Sequence, residues 1–154
     1  MEYSRIIFVA QTGTCREAMA AGILRDCTLK KPVEILCRGL VVQFPEPMNQ
    51  KAEAVLIGNG ITTEGFASEQ LTEDDLTEGT LVLTMEATQR DRIIEQYDNS
   101  IQVDLFVLTE FVGDELEILD PYGGELPVYG LCYETLRKSI KKLVKLLNEG
   151  KERE

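Results

Sequence analysis

The sequence contains no histidine, so the side chain that most often acts as a general base or metal ligand near neutral pH is absent. Its four cysteines include no Cys-x-x-Cys pair: they are Cys15, Cys27, Cys37 and Cys132. Both absences argue against a zinc site and against histidine-based catalysis. We expect no metal and no cofactor, and we expect most of the cysteines to be free thiols in a reducing compartment.

Basic side chains and long apolar runs are also scarce. The sequence has 16 Lys and Arg residues and 27 Asp and Glu residues, which gives a formal charge of -11. This is the wrong sign for a broad surface that binds nucleic acid or anionic lipid, so any anion site must be local. The longest apolar run, Ala18 to Leu24, is far too short to span a membrane, and the first residues have no signal-peptide pattern. We expect a cytoplasmic protein with no nucleic-acid or membrane partner.

The composition is that of one compact domain. The chain has 154 residues, 44% of them hydrophobic, with only 12 Gly and 5 Pro. A domain of this length buries roughly 70% of the surface of its unfolded chain, which supports a core without disulfides. We predict one α/β domain over residues 1–150 and a solvated C-terminal end at 151–154, with fraying expected from Lys142 onward.

Strand and helix patterns alternate along the chain. β-Branched runs predict strands at residues 4–10, 33–36, 80–85 and 102–108, with Arg38-Gly39 breaking the second. Helix signals predict helices from Cys15 to about Arg25, at 49–57, at 86–97 and at the C-terminus, and a capped turn at 71–76 with Thr72 as N-cap. The C-terminal helix has an apolar stripe of Leu136, Ile140, Leu143, Val144 and Leu147. This order predicts a four-stranded parallel sheet flanked by helices on both faces.

The first strand is followed by a loop with the features of an anion cradle. The loop comprises Gln11, Thr12, Gly13 and Thr14 and opens into a helix at Cys15. Ligand sites of parallel sheets lie beyond the carboxyl ends of the strands, and N–H groups at a helix start favour negative charge. Arg16 adds a guanidinium that can bind two phosphate oxygens. A plain strand-to-helix turn with a surface arginine explains the same residues equally well.

A second polar cluster is the run Asp120-Pro121-Tyr122-Gly123-Gly124. Pro121 restricts Asp120 to an extended conformation, and the glycines permit a tight turn. Asp120 in this position can donate a proton to a leaving group, with the ring of Tyr122 nearby. The alternative is an Asp-Pro turn that caps the following helix.

In their order and spacing, several short segments resemble the low-molecular-weight protein tyrosine phosphatases. The matching segments are Ile7-Phe8-Val9, Thr14-Cys15-Arg16 with Met19-Ala20, Arg38-Gly39-Leu40, Leu71-Thr72 with Asp75-Leu76, Leu83-Thr84-Met85, Glu110-Phe111, and the Asp120 to Gly124 run with Tyr129. The resemblance covers almost the whole chain. It implies the family's α/β fold, with the Gln11 to Arg16 loop facing Asp120.

The resemblance also implies which positions carry the family's chemistry. In that family, a Cys-x5-Arg-Ser loop supplies a thiolate that attacks phosphorus, and an Asp-Pro aspartate protonates the leaving group. This assigns the general-acid position to Asp120, the phosphate-binding loop to residues 11–16, and a substrate wall to Tyr122. The nucleophile position is Ala10, and the Ser position is Glu17. No cysteine of the chain has an arginine six positions later.

Three interpretations of function follow. The first is a catalytically impaired pseudophosphatase that binds a phosphorylated protein side chain or a small anion, with Glu17 repelling phosphate. The second is an active phosphotyrosine or phosphoarginine phosphatase carrying an engineered Cys-to-Ala change. The third is a protein-interaction module that has lost the pocket, whose acidic surface suits a basic partner. Because the supporting loop residues differ as well as Ala10, the sequence favours natural degeneration. It leaves the oligomeric state and the ligand open.

Overall fold

A parallel sheet forms the centre of the fold in the computed structural model, which describes residues 2–97 and 101–150. Within these ranges the sheet has four strands: β1 (Arg5–Ala10), β2 (Glu34–Gly39), β3 (Thr80–Thr84) and β4 (Asp104–Val107). Their order is β2-β1-β3-β4, and every pairing is parallel. The predicted fold class is therefore confirmed, and β1 lies in the interior of the sheet.

Helices cover both faces of the sheet. They are α1 (Arg16–Arg25), α2 (Gln50–Gly58), α3 (Ala87–Tyr97), α4 (Leu108–Val112) and α5 (Leu126–Glu149). A 3-10 turn at Glu73–Asp75 follows Thr72, as the sequence predicts. None of the helices in the described ranges is long and apolar enough to cross a membrane.

Alternation along β1 divides the core between the two faces. Ile6 and Phe8 are fully buried in the cluster that includes α1 and α5, whereas Ile7 and Val9 are buried on the opposite face with Ile93 of α3. Burying a large aliphatic or aromatic side chain contributes about 1.5–3 kcal/mol. This two-sided burial fixes the register of β1, and with it the position of the loop that follows Ala10.

The predicted break of the second strand at Arg38-Gly39 is wrong. Both residues belong to β2, where Arg38 pairs with Val9 and Gly39 pairs with Ala10. A side chain at residue 39 would place a methyl carbon 2.6 Å from the carbonyl carbon of Thr12. Gly39 is therefore required by the close approach of the loop after β1, and does not end the strand.

Two further predictions need correction. The fourth strand spans only Asp104–Val107, because Leu108 already begins α4, a five-residue helix too short to produce a sequence periodicity. The fraying expected from Lys142 is also wrong: α5 continues to Glu149, with Leu143 fully buried and Lys142 paired with Asp114. The predicted solvated end at 151–154 lies outside the described residues.

Candidate functional site

The loop after β1 lies at the carboxyl edge of the sheet and is held by backbone hydrogen bonds from its neighbours. Three carbonyls accept them: Ala10 from Leu40 at 2.9 Å, Gln11 from Val41 at 3.0 Å, and Thr14 from Asn49 at 2.9 Å. Gly13 has φ = 75°, which residues with a side chain rarely adopt. A methyl group there would also lie 3.0 Å from the amide nitrogen of Gly39. The loop is therefore a rigid, closely packed turn.

The loop and the Asp-Pro segment share one cavity of about 510 Å³. The predicted site residues that line it are Ala10, Gln11, Thr12, Thr14, Cys15, Arg16, Asp120 and Tyr122, and Glu17, Glu46, Pro47 and Asn49 complete the wall. Gly13 is buried in the loop and is not part of that wall. The structure thus brings the loop and Asp120 together, as the sequence predicts.

The nucleophile position, Ala10, contributes only a methyl group to this cavity. It is the last residue of β1 and is almost fully buried. The nearby thiol of Cys15 does not replace a nucleophilic cysteine, because burial, reinforced by the charge of Glu17, raises the pKa of Cys15 to about 12. A neutral thiol is a poor nucleophile. The cavity therefore lacks an activated sulfur at neutral pH.

Glu17 occupies two of the hydrogen-bond donors of the loop with its own carboxylate. Oε2 accepts the backbone N–H of Gly13 at 2.8 Å, and Oε1 accepts that of Cys15 at 3.1 Å. The residue is 1% exposed. Burial raises the pKa of Glu17, while hydrogen bonds from backbone N–H groups of Glu17, Gly13 and Cys15 oppose that rise. The carboxylate takes the place that an external anion takes in an empty cradle.

The guanidinium of Arg16 is bound within the protein. Nη1 donates to the carbonyl of Ile118 at 2.6 Å, Nη2 donates to Oε2 of Glu86 at 2.5 Å, and the same nitrogen lies 3.8 Å from Oδ2 of Asp120. Arg16 is 4% exposed, so the surface arginine of the alternative interpretation is excluded. Its contacts join the first residue of α1 to Glu86, which follows β3, and to the segment before Asp120.

Asp120 lies on the cavity wall and is about half exposed. Its Oδ1 accepts the backbone N–H of Tyr122 at 3.0 Å, which closes a local turn. It does not cap the following helix, because Glu125 is the N-cap of α5. The side chain of Tyr122 is largely exposed at the cavity rim. Both residues line the cavity, and their assignment as general-acid position and substrate wall stays a prediction.

Sequence reasoning missed Glu86 and Glu46. Glu86 follows β3 at the carboxyl edge of the sheet. Ligand sites of parallel sheets lie beyond the carboxyl ends of the strands, so the position of Glu86 after the third predicted strand is the signal that points to it. Glu46 belongs to the loop before α2 and gives no such signal. Glu86 accepts a hydrogen bond from the Arg16 guanidinium, and Glu46 lines the cavity together with Glu17 and Asp120. Within residues 2–97 and 101–150, no group of three Cys, Asp or Glu side chains is placed to hold a metal ion.

The pattern of the low molecular weight phosphotyrosine protein phosphatase family matches residues 5–153. The chain therefore belongs to this family.

Individual relatives match over nearly the full length. A protein-arginine-phosphatase of Geobacillus stearothermophilus is 32% identical over 144 residues, which cover 93% of this chain and 95% of the relative. The low molecular weight protein-tyrosine-phosphatase PtpB of Staphylococcus epidermidis is 32% identical over 139 residues, covering 90% and 96%. Among solved structures, the YwlE arginine phosphatase from Geobacillus stearothermophilus superimposes with a TM-score of 0.87 at 31% identity, covering 96% of this chain and 94% of that one.

Proposed function

We propose that this protein is a pseudophosphatase that binds other proteins and does not hydrolyse phosphate esters or phosphoramidates. The observation that carries the proposal is the Glu17 carboxylate bound to the N–H groups of Gly13 and Cys15, beside the methyl group of Ala10. The nucleophile position carries no nucleophile, and the Glu17 side chain occupies part of the anion cradle. Both changes act against the chemistry for which the family is named.

The absence of a nucleophile supports loss of turnover. Covalent catalysis requires a side chain that attacks phosphorus, and the methyl group of Ala10 cannot do so. Removing such a group typically lowers the rate by orders of magnitude. Cys15 does not compensate, because burial holds its thiol in the neutral form.

The Glu17 carboxylate disfavours phosphate binding in the cradle. An incoming phosphate must displace the Glu17 carboxylate from two N–H groups and approach a buried negative charge. Arg16 offers little compensation, since Glu86 and Ile118 already accept hydrogen bonds from its guanidinium. Repulsion between desolvated like charges amounts to several kcal/mol.

A second candidate function is weak recognition of a phosphorylated side chain or a small anion. It is favoured by the cavity of about 510 Å³ that remains open beside the loop, with the hydroxyl groups of Thr12 and Thr14 near it. Phosphoarginine and phosphotyrosine are the ligands to try, because relatives are named as arginine and tyrosine phosphatases. A ligand that takes the N–H groups of Gly13 and Cys15 must displace Glu17.

The loop also argues against an engineered variant of an active enzyme. Besides Ala10, the family's loop serine is replaced by Glu17, whose carboxylate is integrated into the loop by its hydrogen bonds. A change of the nucleophile alone leaves the supporting residues intact. We therefore propose that activity was lost naturally.

The test is hydrolysis of p-nitrophenyl phosphate and of free phosphoarginine by the native chain, with the related arginine phosphatase as a positive control. We expect no turnover above the reaction without protein. A turnover number near the usual enzyme value of about 10 per second contradicts the proposal. Calorimetric titration with phenyl phosphate separates the two candidate functions, since only the second predicts saturable binding.

A further inference from the structure

A second surface feature lies next to the candidate site, on the other side of Asp120. It is a groove of about 650 Å³ between the segment 115–121 and the first turns of α5. Asp120 belongs to the walls of both the groove and the cavity described above. A ligand held in the groove would therefore lie beside the candidate site without entering it.

The groove is apolar and exposed. Its leucines are among the most exposed large hydrophobic residues that the structure describes: Leu116 is 81%, Leu119 85% and Leu131 69% exposed. Val128, also on the wall, is about half exposed. Single exposed apolar residues are common, but several that converge on one concave surface mark a binding site.

One wall of the groove has the geometry of a helix face. Val128, Leu131, Cys132 and Thr135 of α5 follow the i, i+3, i+4, i+7 spacing, so they lie along one side of the helix. The segment 115–121 runs beside this face and forms the other wall. Grooves of this kind accept a second amphipathic helix, whose apolar side chains pack between the two walls.

The charges around the groove indicate the charge of its partner. Glu115, Glu117 and Asp120 contribute to its walls, and none of the described wall residues is Lys or Arg. The chain carries a net charge of -11, so a second copy or an anionic membrane would be repelled. Positive charge on the ligand complements this rim and speeds association.

We propose that this groove binds a helical segment of another protein, with apolar residues on one face and Lys or Arg beside them. The inference rests on the proposed function in protein binding and names the partner's chemistry. It does not depend on the loss of hydrolysis. If the chain hydrolyses phosphate and also binds the peptide, only the pseudophosphatase proposal is overturned. If the chain is inactive and does not bind the peptide, only the groove proposal is overturned.

The experiment uses the full chain and a fluorescent peptide of leucine and lysine, about 15 residues long so that it can form an amphipathic helix. Anisotropy gives the Kd for the native chain and for Leu119→Ser/Leu131→Ser, which we expect to bind at least about tenfold more weakly. The control is Ile57→Ser, which alters an exposed apolar residue of α2 outside the groove and leaves the Kd unchanged. Both sets of changes affect exposed side chains, so all variants should keep the native unfolding midpoint.

A charge-reversal pair provides an independent test. Glu115→Lys at the groove should weaken binding of the leucine–lysine peptide at least about threefold, whereas Glu95→Lys on the exposed side of α3 should have a smaller effect. The proposal is overturned if the native chain does not bind the peptide, if a leucine–glutamate peptide binds equally well, or if Ile57→Ser weakens binding as much as the groove variant. Dimerisation or binding to anionic vesicles that is lost in Leu119→Ser/Leu131→Ser would also overturn it, because the occupant would then be a second copy or a membrane.

Discussion

The backbone N–H of Gly13 donates a hydrogen bond of 2.8 Å to the carboxylate of Glu17, four residues later. The same carboxylate accepts the N–H of Cys15. An anion-binding loop normally needs a ligand to satisfy its converging N–H groups. Here Glu17, in the first helical turn, accepts two of them. This side chain therefore helps to hold the loop, and the proposed function predicts that it lowers the affinity of the loop for an external anion.

Replacing Glu17 should open the cradle to anions. In Glu17→Ser the N–H groups of Gly13 and Cys15 lose their acceptor, and the buried negative charge disappears. We expect phenyl phosphate to bind at least about tenfold more tightly than to the native chain in calorimetric titration. The control is Glu46→Gln, which neutralises another carboxylate of the same cavity wall. If both variants gain equally, general repulsion explains the effect and the specific role of Glu17 is refuted.

The pH dependence of stability should reveal the burial of Glu17. Because burial raises the pKa of Glu17, the folded chain holds this proton more tightly than the unfolded chain. The resulting stabilisation is complete below the unfolded pKa and is lost as the pH rises through the folded one. Between about pH 7 and about pH 5, the free energy of unfolding of the native chain should therefore increase relative to that of Glu17→Gln. Urea unfolding at several pH values measures this difference, and a decrease toward acid would contradict the assignment.

Arg16 should matter for stability. Its guanidinium bridges the Ile118 carbonyl and the Glu86 carboxylate in a buried position. Arg16→Ala leaves both acceptors without a donor, so we expect a loss of about 2–4 kcal/mol in the free energy of unfolding. The matched control is Arg90→Ala, which breaks a more exposed pair with Glu110 and should lose about 0–1 kcal/mol. Equal losses in the two variants would argue against a structural role for Arg16.

Two glycine substitutions should have opposite effects. Gly39→Ala puts a methyl group 2.6 Å from the carbonyl carbon of Thr12 and 2.7 Å from the amide nitrogen of Gly13. The backbone of the loop must then move, and we expect a loss of about 1–3 kcal/mol. Gly130→Ala in α5 meets no atom within 4 Å and should stabilise the chain by about 0.5–1 kcal/mol. Thermal unfolding of both variants tests the pair, and a stable Gly39→Ala would show that the loop is not closely packed.

The sequence predicts the features that depend on local pattern. The β-branched run at residues 4–10 predicts a strand, and the structure confirms it as β1 (Arg5–Ala10). The switch from strand to helix near Cys15 locates the loop. The assignment of Ala10 as the nucleophile position comes from the family resemblance, which places that position six residues before Arg16. These signals lie within a few residues of each other, so tertiary contacts do not alter them.

The features that were missed depend on contacts between distant segments. The local sequence predicts that Gly39 breaks the second strand. In the structure Gly39 belongs to β2, and the loop at Thr12 packs against it. The pairing of Arg16 with Glu86 joins residues 70 positions apart. The hydrogen bonds of Glu17 depend on the curvature of the loop, which a residue pattern does not specify. A charge in the first helical turn predicts repulsion of phosphate, but not that the carboxylate binds two N–H groups of the loop.

The most direct test of the account is to restore a cysteine at position 10, either alone or together with a serine at position 17. In Ala10→Cys the helix start lowers the thiol pKa, but the Glu17 carboxylate still holds the loop donors and opposes the incoming phosphate. Ala10→Cys/Glu17→Ser removes that obstacle, and Ala10→Cys/Glu46→Gln controls for the loss of a carboxylate. Measured as kcat/KM for p-nitrophenyl phosphate, the account predicts a feeble single variant, a clearly faster Glu17→Ser double variant, and non-additive effects of the two changes. Ordinary phosphatase turnover by Ala10→Cys alone would contradict it, because Glu17 would then be harmless and the loop would be intact.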